Sequence, residues 1–394
     1  MDETSEELGR FLVWLIRVMS NWFPPVRRWV RRTAQKYAGQ ASKAQLNEKL
    51  EDAERYFREA LIWQPEDADL HSSLGQVYYE QTKPIEAERQ FRKALDYDYS
   101  NLRAFKGLGL LLQERGDMKE PMYYYLKYLE SNPSDPVVNH NLGTVFHNMG
   151  DYESAIEYYE RAEKEDSRDA LVRKNHALAL LAVGEFDKAK KALSIAREVA
   201  PNDGEVDNLL GSVFVAEGDQ ESAIKAYETA IEKDPDNAEN HLEFAELADE
   251  LARYDDAIEH SQKAADLSVK AGDSSAAGEA YWELGWSYYM SERWLESIEA
   301  SRKALRLNPL LNPVHFNLGL ALLQLNRADE ARREYEEGIE GVADVSEIKA
   351  HGIDDLRNAM VKNPQLPQAD QILQILEDRY EMLSRHLTAA QVTV

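Results

Sequence analysis

The chain has 394 residues, of which 72 are acidic and 46 basic, so its formal net charge is −26. A surface with this charge repels phosphate backbones, and we expect no nucleic-acid partner. The chain contains no cysteine. This excludes disulfides, thiolate metal sites and cysteine nucleophiles, and it fits a reducing compartment such as the cytoplasm.

The first predicted element is an apolar, tryptophan-rich and basic segment at residues 11–32, FLVWLIRVMSNWFPPVRRWVRR. On a helical wheel its apolar side chains cover one wide face, and Arg10 and Arg17 fall on the narrow remaining side. Pro24 and Pro25 end this helix, and a second helix with flanking arginines begins at once. The apolar run is too short and too interrupted to cross a membrane.

The basic charge of this segment runs against the trend of the chain. Residues 10–36 contain seven basic and no acidic side chains, whereas the chain from residue 37 onward has 39 basic against 68 acidic, net −29. An apolar face with interfacial tryptophans and flanking arginines is typical of a helix lying in the plane of an anionic membrane surface. The residues predicted to anchor the chain to such a surface, or to an integral membrane complex, are Phe11, Leu12, Trp14, Leu15, Val18, Trp22, Phe23, Arg27, Arg28, Trp29, Arg31 and Arg32.

Two alternatives for this segment stay open on the sequence alone. It could cap the first helices of the body, or it could dock on a neighbouring copy and produce self-association. On the membrane interpretation, the protein is cytoplasmic and peripheral to the inner face of a membrane.

A period of 34 residues organises the body. Residues 73–95, 141–162 and 209–231 read SLGQVYYEQTKPIEAERQFRKAL, NLGTVFHNMGDYESAIEYYERA and LLGSVFVAEGDQESAIKAYETAI. Each contains Leu-Gly, an aromatic residue three positions on, a small residue nine further, and then an aromatic residue and alanine. This pattern resembles the tetratricopeptide repeat, in which antiparallel helix pairs stack into a right-handed superhelical solenoid.

Two positions of each repeat are small, as a close crossing of the two helices requires. The first is Gly75, Gly109, Gly143, Ala177, Gly211, Ala245, Gly285 and Gly319, and the second is Ala53, Ala87, Ala155, Ala189, Ala223, Ala257, Ser297 and Ala331. Between the helices, Gly-Asp pairs such as Gly150-Asp151 predict a left-handed helix end followed by an N-cap.

The sequence predicts an all-α fold of three parts. They are an N-terminal anchor or docking segment at 1–33, nine repeats at 34–345, and C-terminal capping helices with a tail at 346–394. The first repeat is degenerate, because Gln40 and Ala41 replace Leu-Gly. Six extra residues at 272–277 lengthen a helix or loop. Two amphipathic segments at about 346–362 and 368–387 are expected to cover the last repeat.

The resemblance implies a concave groove that holds an extended or helical segment of a protein partner. The sequence contains no phosphate-binding glycine loop, no HExxH and no Gly-x-Ser-x-Gly motif. We therefore predict a non-enzymatic scaffold or assembly factor that binds no cofactor.

By analogy with the family, the groove-facing positions divide into three zones. They are polar residues Arg103, Lys106, His140, His147 and Asn148, acidic residues Glu239, Glu246, Asp249 and Glu250, and apolar residues Trp282, Trp286, Tyr289, Phe316 and Leu320. Exposed aromatic side chains there would anchor a partner. Alternatively, the C-terminal helices bury Trp282 and Trp286 as ordinary core. His140 and His147 share one helix face, but no third ligand accompanies them, and no metal site is predicted.

Overall fold

In a computed structural model of the chain, residues 3–20, 22–165, 168–342 and 345–391 are described. They are almost entirely helical, and no strand occurs among them, so the prediction of an all-α fold is confirmed. The chain divides into two compact units, Met1–Lys188 and Ala189–Val394.

The first unit consists of consecutive helices joined by short connections. They are α1 (Glu3–Ser20), α2 (Pro24–Leu46), α3 (Leu50–Trp63), α4 (Ala68–Glu80), α5 (Pro84–Tyr97), α6 (Leu102–Glu114), α7 (Lys119–Leu129), α8 (Pro136–Asn148), α9 (Tyr152–Glu165) and α10 (Ala170–Ala182). The pairs α2/α3, α4/α5, α6/α7 and α8/α9 each pack along their length. The next helix, α11 (Phe186–Val199), contains the dividing point.

The second unit continues the same plan. Its helices are α12 (Gly204–Glu217), α13 (Gln220–Lys233), α14 (Ala238–Glu250), α15 (Tyr254–Ala271), α16 (Ser274–Met290), α17 (Trp294–Leu307), α18 (Pro313–Gln324), α19 (Ala328–Gly341), α20 (Val345–Glu347), α21 (Asp355–Lys362) and α22 (Ala369–Gln391). A π-helical turn at Ile348–Asp354 joins α20 to α21. Helices α12 to α19 pack as four consecutive pairs, and α22 packs on α19.

Three helices have boundaries that the 34-residue period does not give. The boundary drawn after residue 33 falls inside α2, which runs unbroken for 23 residues. The basic segment and the first helix of the degenerate repeat are thus one helix, held to its neighbours by the buried Val30 and Ala34. Around residues 272–277, α15 and α16 have 18 and 17 residues and are longer than the other paired helices of this unit.

In several pairs, the glycine of the first helix lies against an aromatic ring of the second. A Cβ atom on Gly143 would come within 2.7 Å of the Tyr159 ring, and one on Gly211 within 2.4 Å of the Tyr227 ring. Both tyrosines are buried. These contacts confirm that this position is small because the helices cross closely. The second small position is buried throughout, at Ala53, Ala87, Ala155, Ala189, Ala223, Ala257, Ser297 and Ala331.

The Gly-Asp pairs have the conformation that the sequence predicts. Gly150 has a φ of +76°, in the left-handed region, and Gly116 and Gly218 behave alike. Oδ1 of Asp151 then accepts a hydrogen bond of 3.1 Å from the backbone N–H of Ser154. Each pair therefore ends one helix and caps the next.

A single methyl group tests the glycine contact. We expect Gly211→Ala to lower the free energy of unfolding by about 1–3 kcal/mol, because the buried Tyr227 ring has to move. Denaturant unfolding followed by circular dichroism measures the change. Gly39→Ala in α2 is the matched control, since nothing lies within 4 Å of its added Cβ. It should be neutral or stabilising by up to about 1 kcal/mol. Equal losses in both variants would contradict the contact.

Candidate partner-binding surfaces

Helix α1 and the start of α2 expose their apolar face to solvent. Trp22 is 80 % exposed, and Phe11 and Phe23 are 55 % exposed. On the opposite side, Ile16 and Arg17 are half-buried, so α1 turns that side towards the protein. The exposed large apolar side chains of this region are Phe11, Leu12, Trp14, Leu15, Val18, Met19, Trp22, Phe23 and Trp29.

The arginines of α2 lie beside this apolar surface. Arg27, Arg28, Arg31 and Arg32 are all exposed. The Nε–H of Arg27 donates a 3.2 Å hydrogen bond to the carbonyl oxygen of Ser20, across the break between the two helices. The side chain of Arg10 and the whole of Asn21 lie outside the described part of the chain.

A cavity of about 830 Å³ separates α1 and α2 from the connection between α3 and α4. Trp14, Arg17 and Arg31 line one side, and Glu66 and Asp69 line the other. Basic side chains of the N-terminal helices and acidic side chains of the body thus face the same cavity. Within the described residues, no helix is both apolar enough and long enough to span a bilayer.

In the polar zone, the two cationic residues have partners within the protein. Arg103 donates a 2.7 Å hydrogen bond to Oγ of Ser73. The ammonium group of Lys106 lies 3.0 Å from the Asp135 carboxylate, which also caps α8. Because these partners come from the neighbouring helices, both cations support the stacking of repeats as well as facing solvent.

The two histidines of this zone have different surroundings. Nε2 of His140 accepts a 2.8 Å hydrogen bond from the side-chain N–H of Asn175, and burial lowers the pKa of His140. His147 lies edge-on to the ring of Tyr152 at 5.2 Å, and Asn148 is exposed. A neutral His140 in this setting accepts a hydrogen bond within the protein.

The structure divides the apolar zone into two parts. Tyr289, Phe316 and Leu320 are 8 %, 0 % and 1 % exposed, so the expectation that they face an open groove is corrected. Trp282 and Trp286 are half-buried. The structure thus combines the two interpretations that the sequence left open: part of this zone is core, and part remains accessible.

The C-terminal helices cause this burial. Ile348, Ile353 and Leu376 belong to the same apolar cluster as Phe316 and Leu320. They come from the π-helical turn and α22, which lie beyond the end of the 34-residue period. Analogy with an open repeat array could not place them.

Trp282 and Trp286 line a cavity of about 530 Å³ in the second unit. The Trp282 ring meets the His351 ring edge-on at 5.6 Å, and the Trp286 ring stacks on Tyr289 at 5.5 Å. The cavity also has an acidic wall. It consists of Glu246 from α14, Glu279 and Glu283 from α16, and Asp355 from α21.

The acidic wall disfavours its own ionisation. Desolvation, followed by the charges of Glu243, Glu250 and Glu279, raises the pKa of Glu246 to about 7, although its side chain is exposed on the cavity wall. Burial and the adjacent Asp354 raise the pKa of Asp355 to about 6.

Glu283 of this wall is half-buried and is paired with the buried Asp249. Burial raises the pKa of Glu283 well above its usual value, and the neighbouring Asp249 adds to this effect. Asp249 accepts a 2.5 Å hydrogen bond from the hydroxyl of Ser287. The pair therefore retains a proton at a pH where exposed carboxyl groups have lost theirs.

One further cluster was missed by sequence reasoning. Nδ1 of His315 lies 2.8 Å from a carboxylate oxygen of Glu334 and 3.8 Å from one of Glu337. The three side chains are close enough to share a metal ion. The sequence signal that could have predicted this cluster is the spacing of 19 and 22 positions, because the packing of α18 on α19 brings residues at these separations together.

Comparisons with known proteins agree with the fold. Three family models described as tetratricopeptide repeat match residues 40–197, residues 174–238 with 292–344, and residues 214–271. No curated protein sequence is similar enough to count as a relative.

Three solved structures illustrate the similarity. A chain of the APC/C hetero-tetramer Cut9–Hcn1 is 18 % identical, with a TM-score of 0.50 over 82 % of this chain and 58 % of that one. Yeast Tom70 is 15 % identical, with a TM-score of 0.45 over 86 % and 99 %. YrrB, described as having an unusual peptide-binding site, is 22 % identical, with a TM-score of 0.45 over 47 % and 95 %. At these identities the similarity concerns the fold alone.

The acidic wall gives a pH-dependent prediction. Between the usual pKa of glutamate and pH 7, Glu246 retains its proton in the folded protein but has released it in the unfolded chain. The free energy of unfolding therefore decreases as the pH rises through this range. We expect Glu246→Gln to change the midpoint of thermal unfolding little at pH 5 and to raise it at pH 8. Glu228→Gln on the exposed face of α13 controls for the loss of one surface charge. A lower midpoint for Glu246→Gln at pH 8 would contradict the assignment.

Proposed function

Since this chain belongs to the tetratricopeptide repeat family and has the fold of a protein-interaction scaffold, we propose that it brings a protein partner to a membrane surface. Its N-terminal helices would bind the surface from the cytoplasmic side, and its stacked helix pairs would bind a segment of the partner. The observation that carries this proposal is the exposed apolar and basic surface of α1 and α2.

The exposure of this surface supports attachment over capping. A helix that only capped the first repeat would bury its apolar face against the body. Here Trp14, Trp22 and Trp29 are each about half or more exposed, and so are Phe11 and Phe23. Tryptophan and arginine together suit the headgroup region, where the indole is partly solvated and the guanidinium contacts anionic lipid.

The charge distribution supports the same proposal. The segment contributes seven basic side chains between residues 10 and 36, whereas the remaining chain from residue 37 has a net charge of −29. An anionic surface attracts the first and repels the second. The helix pairs would therefore stand away from the lipid with their partner-binding side chains accessible.

Flotation on lipid vesicles tests the proposal with the full chain. We expect the protein to float with vesicles that contain phosphatidylserine, and less with neutral vesicles or at high salt. Each arginine near an anionic surface contributes about 1 kcal/mol. Replacing Arg28, Arg31 and Arg32 by Gln should therefore lower the partition coefficient about 100-fold.

Matched variants separate charge and apolar contributions from general effects. Arg55, Lys188 and Lys225 are exposed elsewhere, and their triple Gln variant should float like the unaltered protein. Trp14→Ser with Trp22→Ser should reduce flotation on all vesicles, whereas Leu310→Ser, at an exposed leucine, should not.

Flotation that is absent for the full chain, or unaffected by the variants of the N-terminal helices, would overturn membrane attachment. The exposed surface would then be a docking site for protein. Concentration-dependent oligomers that the Trp14 and Trp22 changes abolish would indicate self-association. Co-purification with an integral membrane complex would indicate attachment through protein.

A further inference from the structure

We propose that the cavity lined by Trp282 and Trp286 is a subsite for the cationic side chain, a lysine or an arginine, of a bound protein segment. This inference rests on the proposed function in one respect, because it assumes that the second unit binds a segment of a partner. It adds the chemistry of the residue that the partner supplies.

The first argument is charge. Glu246, Glu279, Glu283 and Asp355 line the cavity, and none of the described residues that line it is lysine or arginine. Partial desolvation and neighbouring carboxylates disfavour ionisation when no cation lies between them, as the raised pKa values of Glu246 and Asp355 show. A cationic side chain would neutralise the wall that the protein leaves uncompensated.

The second argument is the pair of indole rings. The faces of tryptophan attract organic cations, and guanidinium and ammonium groups on apolar stems pack well against them. A calcium or magnesium ion would gain nothing from these rings, because it is held by oxygen ligands and retains water. Indole walls and carboxylates together therefore favour a side chain with an apolar stem and a charged tip.

The third argument is an unused hydrogen-bond acceptor. Asn317 lines the cavity and is only 2 % exposed, yet its Oδ1 atom has no hydrogen-bond partner among the described residues. A buried acceptor without a donor is unfavourable. An N–H group of a bound lysine or arginine would supply the missing donor, whereas an acidic or purely apolar side chain would not.

The volume agrees with this occupant. About 530 Å³ is in the range of sites that bury a small ligand, and it exceeds what one extended side chain needs. The wall comes from α14, α16, α18 and the segment after α20, so the site exists only where these elements meet. The subsite is thus a built feature of the second unit.

Fluorine NMR of the full chain labelled with 5-fluorotryptophan tests the subsite. The chain has seven tryptophans. The signals of the two in the cavity are assigned from Trp282→Phe and Trp286→Phe. The probes are three capped pentapeptides, four alanines around a central lysine, arginine or norleucine, where norleucine is the neutral analogue of lysine.

We expect the lysine and arginine peptides to shift both cavity signals saturably, with dissociation constants about tenfold below that of the norleucine peptide. Glu246→Gln with Glu279→Gln should remove most of this preference. Glu221→Gln with Glu228→Gln, an exposed pair on α13, is the control for net charge and should leave the preference unchanged.

The pH dependence provides an independent readout. The titratable groups around Glu246 are Glu243 and Glu250 on its own helix, Glu279 and Glu283 on α16, and His351 and Asp355 beyond α20. A bound cation competes with the proton on the carboxyl groups. Affinity for the lysine peptide should therefore rise from pH 5.5 to pH 8.

Three outcomes would overturn the proposal. Equal binding of all three peptides would show that the cavity binds apolar side chains without regard to charge. If no peptide shifted the Trp282 and Trp286 signals, the cavity would not bind peptides of this kind. If the Trp282 and Trp286 signals shifted with protein concentration in the unaltered protein, but not in the variant with Arg28, Arg31 and Arg32 replaced, the occupant would be a second copy of the chain. Vesicle flotation is measured separately, so loss of the subsite and loss of membrane attachment are distinguishable.

Discussion

The structure depends on one contact that recurs in several helix pairs: an aromatic ring of the second helix packs on a glycine of the first helix. Only glycine lets the Tyr159 and Tyr227 rings approach as closely as they do, at Gly143 and Gly211. This contact fixes how far apart the two helices lie and where they cross. Because the same spacing returns every 34 residues, the fold can be predicted from the sequence.

The cavity lies where this contact is replaced. In the pairs α14/α15 and α16/α17, the position of the ring is occupied by Ser261 and Ser301, both fully buried. The same two pairs supply Glu246 and both cavity tryptophans. The two helix pairs that supply these cavity residues therefore lack the contact between glycine and an aromatic ring.

How far the sequence predicts the molecule depends on whether periodicity reaches the residues concerned. Inside the repeats, equivalent positions of consecutive first helices lie side by side. The repeat pattern therefore suffices to predict that Glu246 and Trp286, 40 residues apart, lie close together. Beyond residue 345 there is no period, so the burial of Phe316 and Leu320 by the C-terminal helices follows only from the packing of the folded chain. Asn317 shows the same limit, since an unpaired acceptor is visible only when its surroundings are known.

The unbroken α2 has a mechanical consequence. Its 23 residues span about 35 Å, from Pro24 beside the exposed tryptophans to Leu46 at the turn that leads into α3. No break occurs in α2 between Trp29, which is half exposed and packs edge-on against Trp63, and Ala41, which is buried. A surface gripped by the first turns of α2 would therefore set the angle of the first helix pair as well as its distance. A flexible linker in the place of α2 would leave that angle free.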